Sequence, residues 1–129
     1  MSSFGPMSTY TAKAAADLRT KQYHVMRYSA EAQVNQASHA AATIVNGPIG
    51  VLQNKPNSGQ AATIAYFGES TVVAGGALTA NTLITTNGSG RIAAAVSGDI
   101  TFGRVMEAAS QDGDHVRVLI FPPYPLLRT

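Results

Sequence analysis

The sequence predicts an all-β chain: one small antiparallel β-barrel or sandwich over residues 22–121, an extended arm before it (1–21) and an extended Pro-rich tail after it (122–129). Three observations carry this. From Gln22 onward, short apolar segments are punctuated by Gly, Asn, Asp and Pro at roughly 8 to 12 residues, the spacing of a sandwich or barrel. Asn87-Gly88 and Asp112-Gly113 fall between apolar runs, and such pairs supply the positive φ angles of tight hairpins. With 129 residues, 45% of them hydrophobic, the chain has material for one core and no length for a second full domain, which excludes a doubly wound enzyme or an α/β barrel.

The elements follow in order. Residues 1–21 are small, polar and basic, with a Gly5-Pro6 break and an apolar content limited to Ala12, Ala15, Ala16 and Leu18, which reads as an arm. Strands are expected over 23–28, 49–53, 61–67, 71–73, 83–86, 91–96, 102–108 and 115–121. Residues 29–44 keep helical spacing at Ala30, Val34, Ala37, Ala41 and Ile44, while Gln33-Val34-Asn35 also suits a strand; strand followed by loop is the preferred reading. Asn87-Gly88-Ser89-Gly90 closes one hairpin, and Asp112-Gly113 another before Val116, Val118 and Ile120. Pro56-Asn57-Ser58-Gly59 and Ala74-Gly75-Gly76 mark further turns. Prolines donate no backbone hydrogen bond, so Pro122-Pro123-Tyr124-Pro125 is expected to stay out of a central ladder. That leaves Tyr124, Leu126 and Leu127 as apolar surface for an adjacent subunit.

Charged residues are only 12% of the chain, about half the usual share. The formal charge of +2 is local: residues 1–27 hold Lys13, Arg19, Lys21 and Arg27 against Asp17 alone, and the remainder is slightly acidic. The absence of cysteine removes disulfides, thiolate chemistry and sulfur-ligated zinc, and suits a reducing cytosol. No apolar run reaches 18 residues and the N-terminus lacks a signal-peptide core, so the expectation is a soluble protein with no contact to a membrane.

Reactive chemistry is hard to find. His24, His39 and His115 lack metal-ligand spacing, and Asp112, Asp114 and His115 read as a polar hairpin tip. Glu69 and Glu107 are the one plausible acid/base pair, with Glu107 more readily read as the partner of a strand neighbour. Ser89 lies in a turn and no Gly-x-Ser-x-Gly elbow exists. Neither Gly75-Gly76 nor Gly88-Ser89-Gly90 is followed by the Lys-Ser/Thr of a phosphate loop. An enzyme, a metal, a cofactor and a small-molecule substrate are therefore not expected. A basic arm near Tyr10, Tyr23 and Tyr28 suits stacking on single-stranded nucleic acid. Three or four clustered cations, however, predict only weak, salt-sensitive binding.

One block carries a resemblance. Gly50-Val51-Leu52-Gln53-Asn54-Lys55-Pro56, Ser58-Gly59-Gln60-Ala61-Ala62 and the run from Gly68-Glu69-Ser70 to Gly75-Gly76 make up its first part. Gly90-Arg91-Ile92, the run from Gly103-Arg104-Val105-Met106-Glu107 to Asp112-Gly113 and a closing Val116-Arg117-Val118-Leu119-Ile120 complete it. Together these resemble the capsid cement, or head decoration, proteins of tailed bacteriophages. Asn81-Thr82 departs from the pattern, which often has Gly there. The resemblance implies a β-tulip-like homotrimer, made in the host cytoplasm and seated on the outer surface of the head, where it locks the major capsid protein lattice against genome pressure. On that reading Tyr10, Lys13, Arg19 and Lys21 meet the capsid through an arm that orders on binding, and Tyr124, Leu126 and Leu127 meet a neighbouring subunit. Another trimeric virion or fibre component and, more distantly, a nucleic-acid-binding barrel are the alternatives.

Overall fold

A computed structural model describes residues 7–36, 48–96 and 99–125. Its nine strands are β1 (Met7–Ala14), β2 (Val25–Ala30), β3 (Gln33–Gln36), β4 (Gly50–Leu52), β5 (Ala61–Val73), β6 (Leu83–Thr86), β7 (Ile92–Ala94), β8 (Ile100–Val105) and β9 (His115–Pro125). All belong to one sheet in the order β1-β3-β2-β4-β5-β9-β8-β6-β7, and β1 also pairs with β5. The fold is all-β, as the turn spacing predicts.

That extra pairing closes a circuit. β1, β3, β2, β4 and the first half of β5 return on themselves, with Met7 to Lys13 running antiparallel to Gly68 to Ala61. The second half of β5 turns instead to β9, from Gly68↔Ile120 to Val73↔His115. β8, β6 and β7 continue from there, and Gly75 N–H donates to the Ile92 carbonyl at 2.8 Å, bringing β7 back to the end of β5. The two circuits share β5, so the molecule is sandwich-like and not one clean barrel.

Each circuit has its own core. Ala14, Leu18, Met26, Val34, Leu52, Ala62 and Ile64 fill the first. Phe102, Ile84, Ile92, Ile120, Val72, Val116 and Val118 lead the second. Successive strand residues point to opposite faces, and β2, β4 and β5 use this to serve both cores at once. Met26, Leu52 and Ile64 face the first core, while Val25, Val51 and Ala65, paired side by side, face the second. All six are 0% exposed. Gly50 lets this wall close, because a Cβ there would lie 2.3 Å from the Ala65 carbonyl oxygen.

The arm expected over 1–21 is largely absent. Met7–Ala14 is β1, and its burial alternates along its length, with Tyr10, Ala12 and Ala14 turned inward and Thr9, Thr11 and Lys13 outward. Leu18 is buried and its N–H donates to the Pro56 carbonyl, so residues 15–24 pack as a tight connection. Thr and Tyr are good strand formers on a half-buried face, which the low apolar content of this segment disguised. Residues 1–6 lie outside the described part.

The tail is also corrected. β9 runs on through Pro125, with Thr101↔Tyr124 and Ile100↔Pro125 paired to β8. The prolines are admitted because the β5 pairing of β9 ends at Ile120, leaving its other edge without a described ladder. The register with β8 also shifts between Thr101 and Gly103, so extra β9 residues bulge there. Leu126 and Leu127 lie outside the described residues.

Strand follows Ser29 as preferred, in β3, while residues 37–47, including His39, lie outside the description. The strands expected over 61–67 and 71–73 are one continuous β5. Both hairpins form, with different turn chemistry from that expected. In the first, Gly90 takes the left-handed conformation (φ 72°), and Asn87 Oδ1 accepts from the N–H groups of Ser89 (2.9 Å) and Arg91 (3.0 Å). In the second, Gly113 is left-handed (φ 93°), and Asp114 Oδ2 accepts from Ser110 N–H at 2.8 Å and its Oγ at 2.9 Å. Asn81, where the cement pattern often has Gly, is left-handed as well (φ 74°), a conformation Asn tolerates better than most residues.

Candidate functional site

Two surface features stand out. The first is aromatic. Inward-turning Tyr10 on β1 sits 5.6 Å, ring to ring, from Tyr66 and 6.5 Å from Tyr28. Its phenol pKa is raised, first by burial and then by a side-chain hydrogen bond with Tyr28. Tyr28 (48%), Tyr66 (41%), Phe67 (51%) and Met7 (41%) are all well exposed on or beside the β1–β5 seam. A register shift between Ser8 and Thr9 leaves Tyr66 unopposed on β1, exposed beside Phe67 with its ring against Tyr10. Large apolar side chains gathered at one seam mark a contact surface more readily than the same residues scattered.

The second feature is a cavity of about 380 Å³ where the connection after β1 meets the end of β5 and the two hairpin turns. Arg19, Lys55, Arg91, His24 and His115 line it, together with Tyr23. His24 is 6% exposed, and its Nδ1 lies 3.3 Å from the Gln22 carbonyl oxygen. Burial, and then the positive charges of Lys21 and Arg91, lower the His24 pKa below the usual imidazole value. Tyr23 holds a left-handed backbone (φ 68°), fixed by its N–H to the Leu52 carbonyl (2.7 Å) and its carbonyl to Val73 N–H (3.0 Å). Its ring meets His115 edge-on at 5.8 Å.

The residues singled out in the sequence are thus divided. Tyr10 belongs to the aromatic cluster and Arg19 to the cavity, while Lys13 stands exposed on β1 between Gln33 and Ala61. Lys21 is half-buried in the connection, its N–H donating to the Leu18 carbonyl. Arg19 is engaged already: its Nε and NH2 donate to the Asp17 carboxylate at 2.9 and 2.8 Å. That contact holds the Asp17 pKa down at about 2. Tyr23 parts company with Tyr10 and Tyr28. Tyr124 pairs through its backbone with Thr101.

Glu69 and Glu107 do meet, through Arg117: its NH2 donates to Glu69 Oε1 at 3.1 Å, and its backbone N–H donates to Glu107 Oε1 at 3.1 Å. Both carboxylates act there as cross-strand ties. Lys55, Arg91, Tyr66 and Phe67 escaped the sequence reading as site residues. The connections that hold Arg19, Lys55 and Arg91 are brought to one cavity by the tertiary fold, and no local spacing signals it.

Among solved structures, the chain is similar to the head fiber gp8.5 N base of bacteriophage phi29, at 19% identity with a TM-score of 0.65, over 96% of this chain and 100% of that chain. At that identity the likeness is one of fold. No protein-family model and no curated protein matches the sequence.

Proposed function

We propose that the protein is a structural component of a tailed-phage virion: a cement, or decoration, protein that sits on the outer surface of the head as a homotrimer and braces the major capsid protein lattice. The observation that carries this reading is the end-to-end likeness to a phage head fiber base, which spans nearly the whole of both chains. The resemblance of the Gly50 to Ile120 block to head decoration proteins supports it independently. So does the aromatic seam, which offers apolar area to a large partner.

In this role Lys13, Arg19 and Lys21 meet acidic capsid surface, and Tyr10 acts through its cluster with Tyr28 and Tyr66. Residues Tyr124, Leu126 and Leu127 carry the subunit contact. Trimerisation multiplies weak contacts through effective concentration, so a modest patch on each subunit holds the shell firmly. Gluing of this kind requires no catalytic group.

Co-sedimentation with purified heads of the carrying phage tests the reading. Saturable binding is expected, as is earlier genome loss on heating from heads that lack the protein. A protein that is monomeric in light scattering and missing from purified virions refutes it. Leu126→Ser with Leu127→Ser is expected to lower the trimer mass. This pair is preferable to truncation after Pro122, which would also remove the β8 pairing of β9.

The identity of the structural neighbour favours a second reading, the base of a head-attached fibre. Head heat-stability separates the two: a fibre base leaves it unchanged when removed, and a cement does not. Gel shifts with single-stranded oligonucleotides test the remote nucleic-acid reading.

A further inference from the structure

We propose that the cavity lined by Arg19, Lys55, Arg91, His24 and His115 is a carboxylate-binding site that takes an acidic side chain from a segment of a partner protein. The inference does not depend on the virion reading. The lining brings three permanent cations and two imidazoles together from four separated stretches of chain and contains no carboxylate. In a sequence with 12% charged residues, the lining gathers three of the nine Lys and Arg residues.

The groups are incompletely satisfied. Lys55 is exposed and forms no ion pair among the described residues. Arg91 gives NH1 to Asp112 at 2.8 Å, yet its Nε is buried with no hydrogen-bond partner among the described residues. An unpaired buried donor on a charged group is costly, and an anion in the cavity that Arg91 lines is attracted to the charge of the same guanidinium. His24 donates through Nδ1 to the Gln22 carbonyl, so in its neutral form Nε2 is an acceptor and the cations, not His24, supply the donors for a carboxylate. The left-handed Tyr23 in the wall is an outlier of the kind that collects at binding sites.

The carboxylate is favoured over a polyphosphate by the rim. Asp17 and Asp112, each bound to a lining arginine, stand at the cavity edge, and Asp114 lies next to Gly113. A continuous nucleic-acid backbone crossing the cavity would meet those carboxylates, whereas a single Glu or Asp side chain reaches in between them. The volume, about 380 Å³, lies at the small end of pockets that hold ligands.

The test uses the full chain with four probes: hexaglutamate peptide, hexaglutamine peptide, inorganic phosphate, and a single-stranded oligonucleotide of six bases. Binding is followed by calorimetry in a buffer without polyvalent anions and by NMR of the histidine rings. Hexaglutamate is expected to bind saturably and to move the His24 and His115 ring resonances, with hexaglutamine silent. Lys55→Gln should weaken hexaglutamate about tenfold, as loss of one charged hydrogen bond would, while Arg104→Gln, outside the cavity, leaves it unchanged. Equal binding of hexaglutamine, loss of binding through Arg104→Gln, or tighter binding of phosphate or the oligonucleotide than of hexaglutamate overturns the proposal.

Discussion

Truncating one side chain in each core tests whether the two strand circuits form a single cooperative body. Ile64 is 0% exposed in the first core, and Phe102 is 1% exposed in the second. Removing a buried aliphatic side chain to Ala costs about 2–5 kcal/mol, and a Phe about 3–5, as transfer loss and cavity add. At about 2.1 cal/mol/K per residue, a chain of 129 residues has an unfolding entropy near 0.27 kcal/mol/K, so a loss of 3 kcal/mol lowers Tm by about 11 °C. The assay is calorimetric and urea unfolding at fixed protein concentration, because any oligomer makes Tm depend on concentration. Since β5 runs through both cores without a break, each variant is expected to unfold in one transition. The two losses should also add to within about 0.5 kcal/mol, as the side chains belong to separate clusters. If either variant fails to fold, Ile64→Val, at about 0.5–1.5 kcal/mol, stands in. Two resolved transitions in any of these variants, or a loss under 1 kcal/mol for either alanine variant, would refute the shared-wall architecture.

Three further outcomes are expected. Asn87→Ala removes an oxygen that accepts from Ser89 and Arg91 N–H groups, and should cost about 1–2 kcal/mol in thermal unfolding. Glu69→Gln breaks the 3.1 Å pair with Arg117, whose side chains are 31% and 23% exposed; a loss of about 1 kcal/mol that shrinks in high salt is expected from urea curves. For His24 the sign follows from its lowered folded pKa. Below the ordinary imidazole pKa of about 6.5 the unfolded chain takes up a proton that the native state resists, so stability falls as pH drops through that value and levels off below the folded pKa. Comparing urea midpoints at pH 7.5 and 5.5 checks this, and His24→Gln should flatten the slope.

How far the sequence carried the fold depends on which residues signal locally. Asn87 to Gly90 and Asp112-Gly113 announce hairpins because turn chemistry is confined to a few adjacent positions. β1 went unread because its inward face is Tyr10, Ala12 and Ala14, too weakly apolar to show as alternation, although Thr and Tyr suit a strand. The proline tail was misjudged because exclusion of Pro applies to a strand paired on both edges. Past Ile120 only the β8 pairing of β9 continues. For the site, composition flagged the basic N-terminal stretch and so found Arg19, but its neighbours Lys55 and Arg91 come from distant connections that only the tertiary fold brings together. Closure of each circuit likewise rests on pairings between distant segments, such as Met7 with Gly68, which no short window contains.

The two surfaces differ in physical character, and β5 fixes their separation. Tyr66 belongs to the aromatic cluster and Val73 to the cavity wall, seven residues apart on one strand, about 23 Å measured along it at about 3.3 Å per residue. The near edges of the two surfaces adjoin, since Met7 beside the seam and Tyr23 of the cavity wall line one small pocket. A partner that touches both therefore feels two contributions that differ in their response to salt. Apolar contact at Tyr28, Tyr66 and Phe67 supplies area that salt does not weaken, and Lys55 with the paired arginines supplies orientation that salt does. Because the aromatic seam sits on sheet, and the connection that carries Arg19 is tied down by the buried Leu18, much of the ordering cost is met in folding and not in binding. Rising salt should thus speed dissociation only until the cavity contribution is screened, after which a salt-resistant remainder set by the aromatic seam persists.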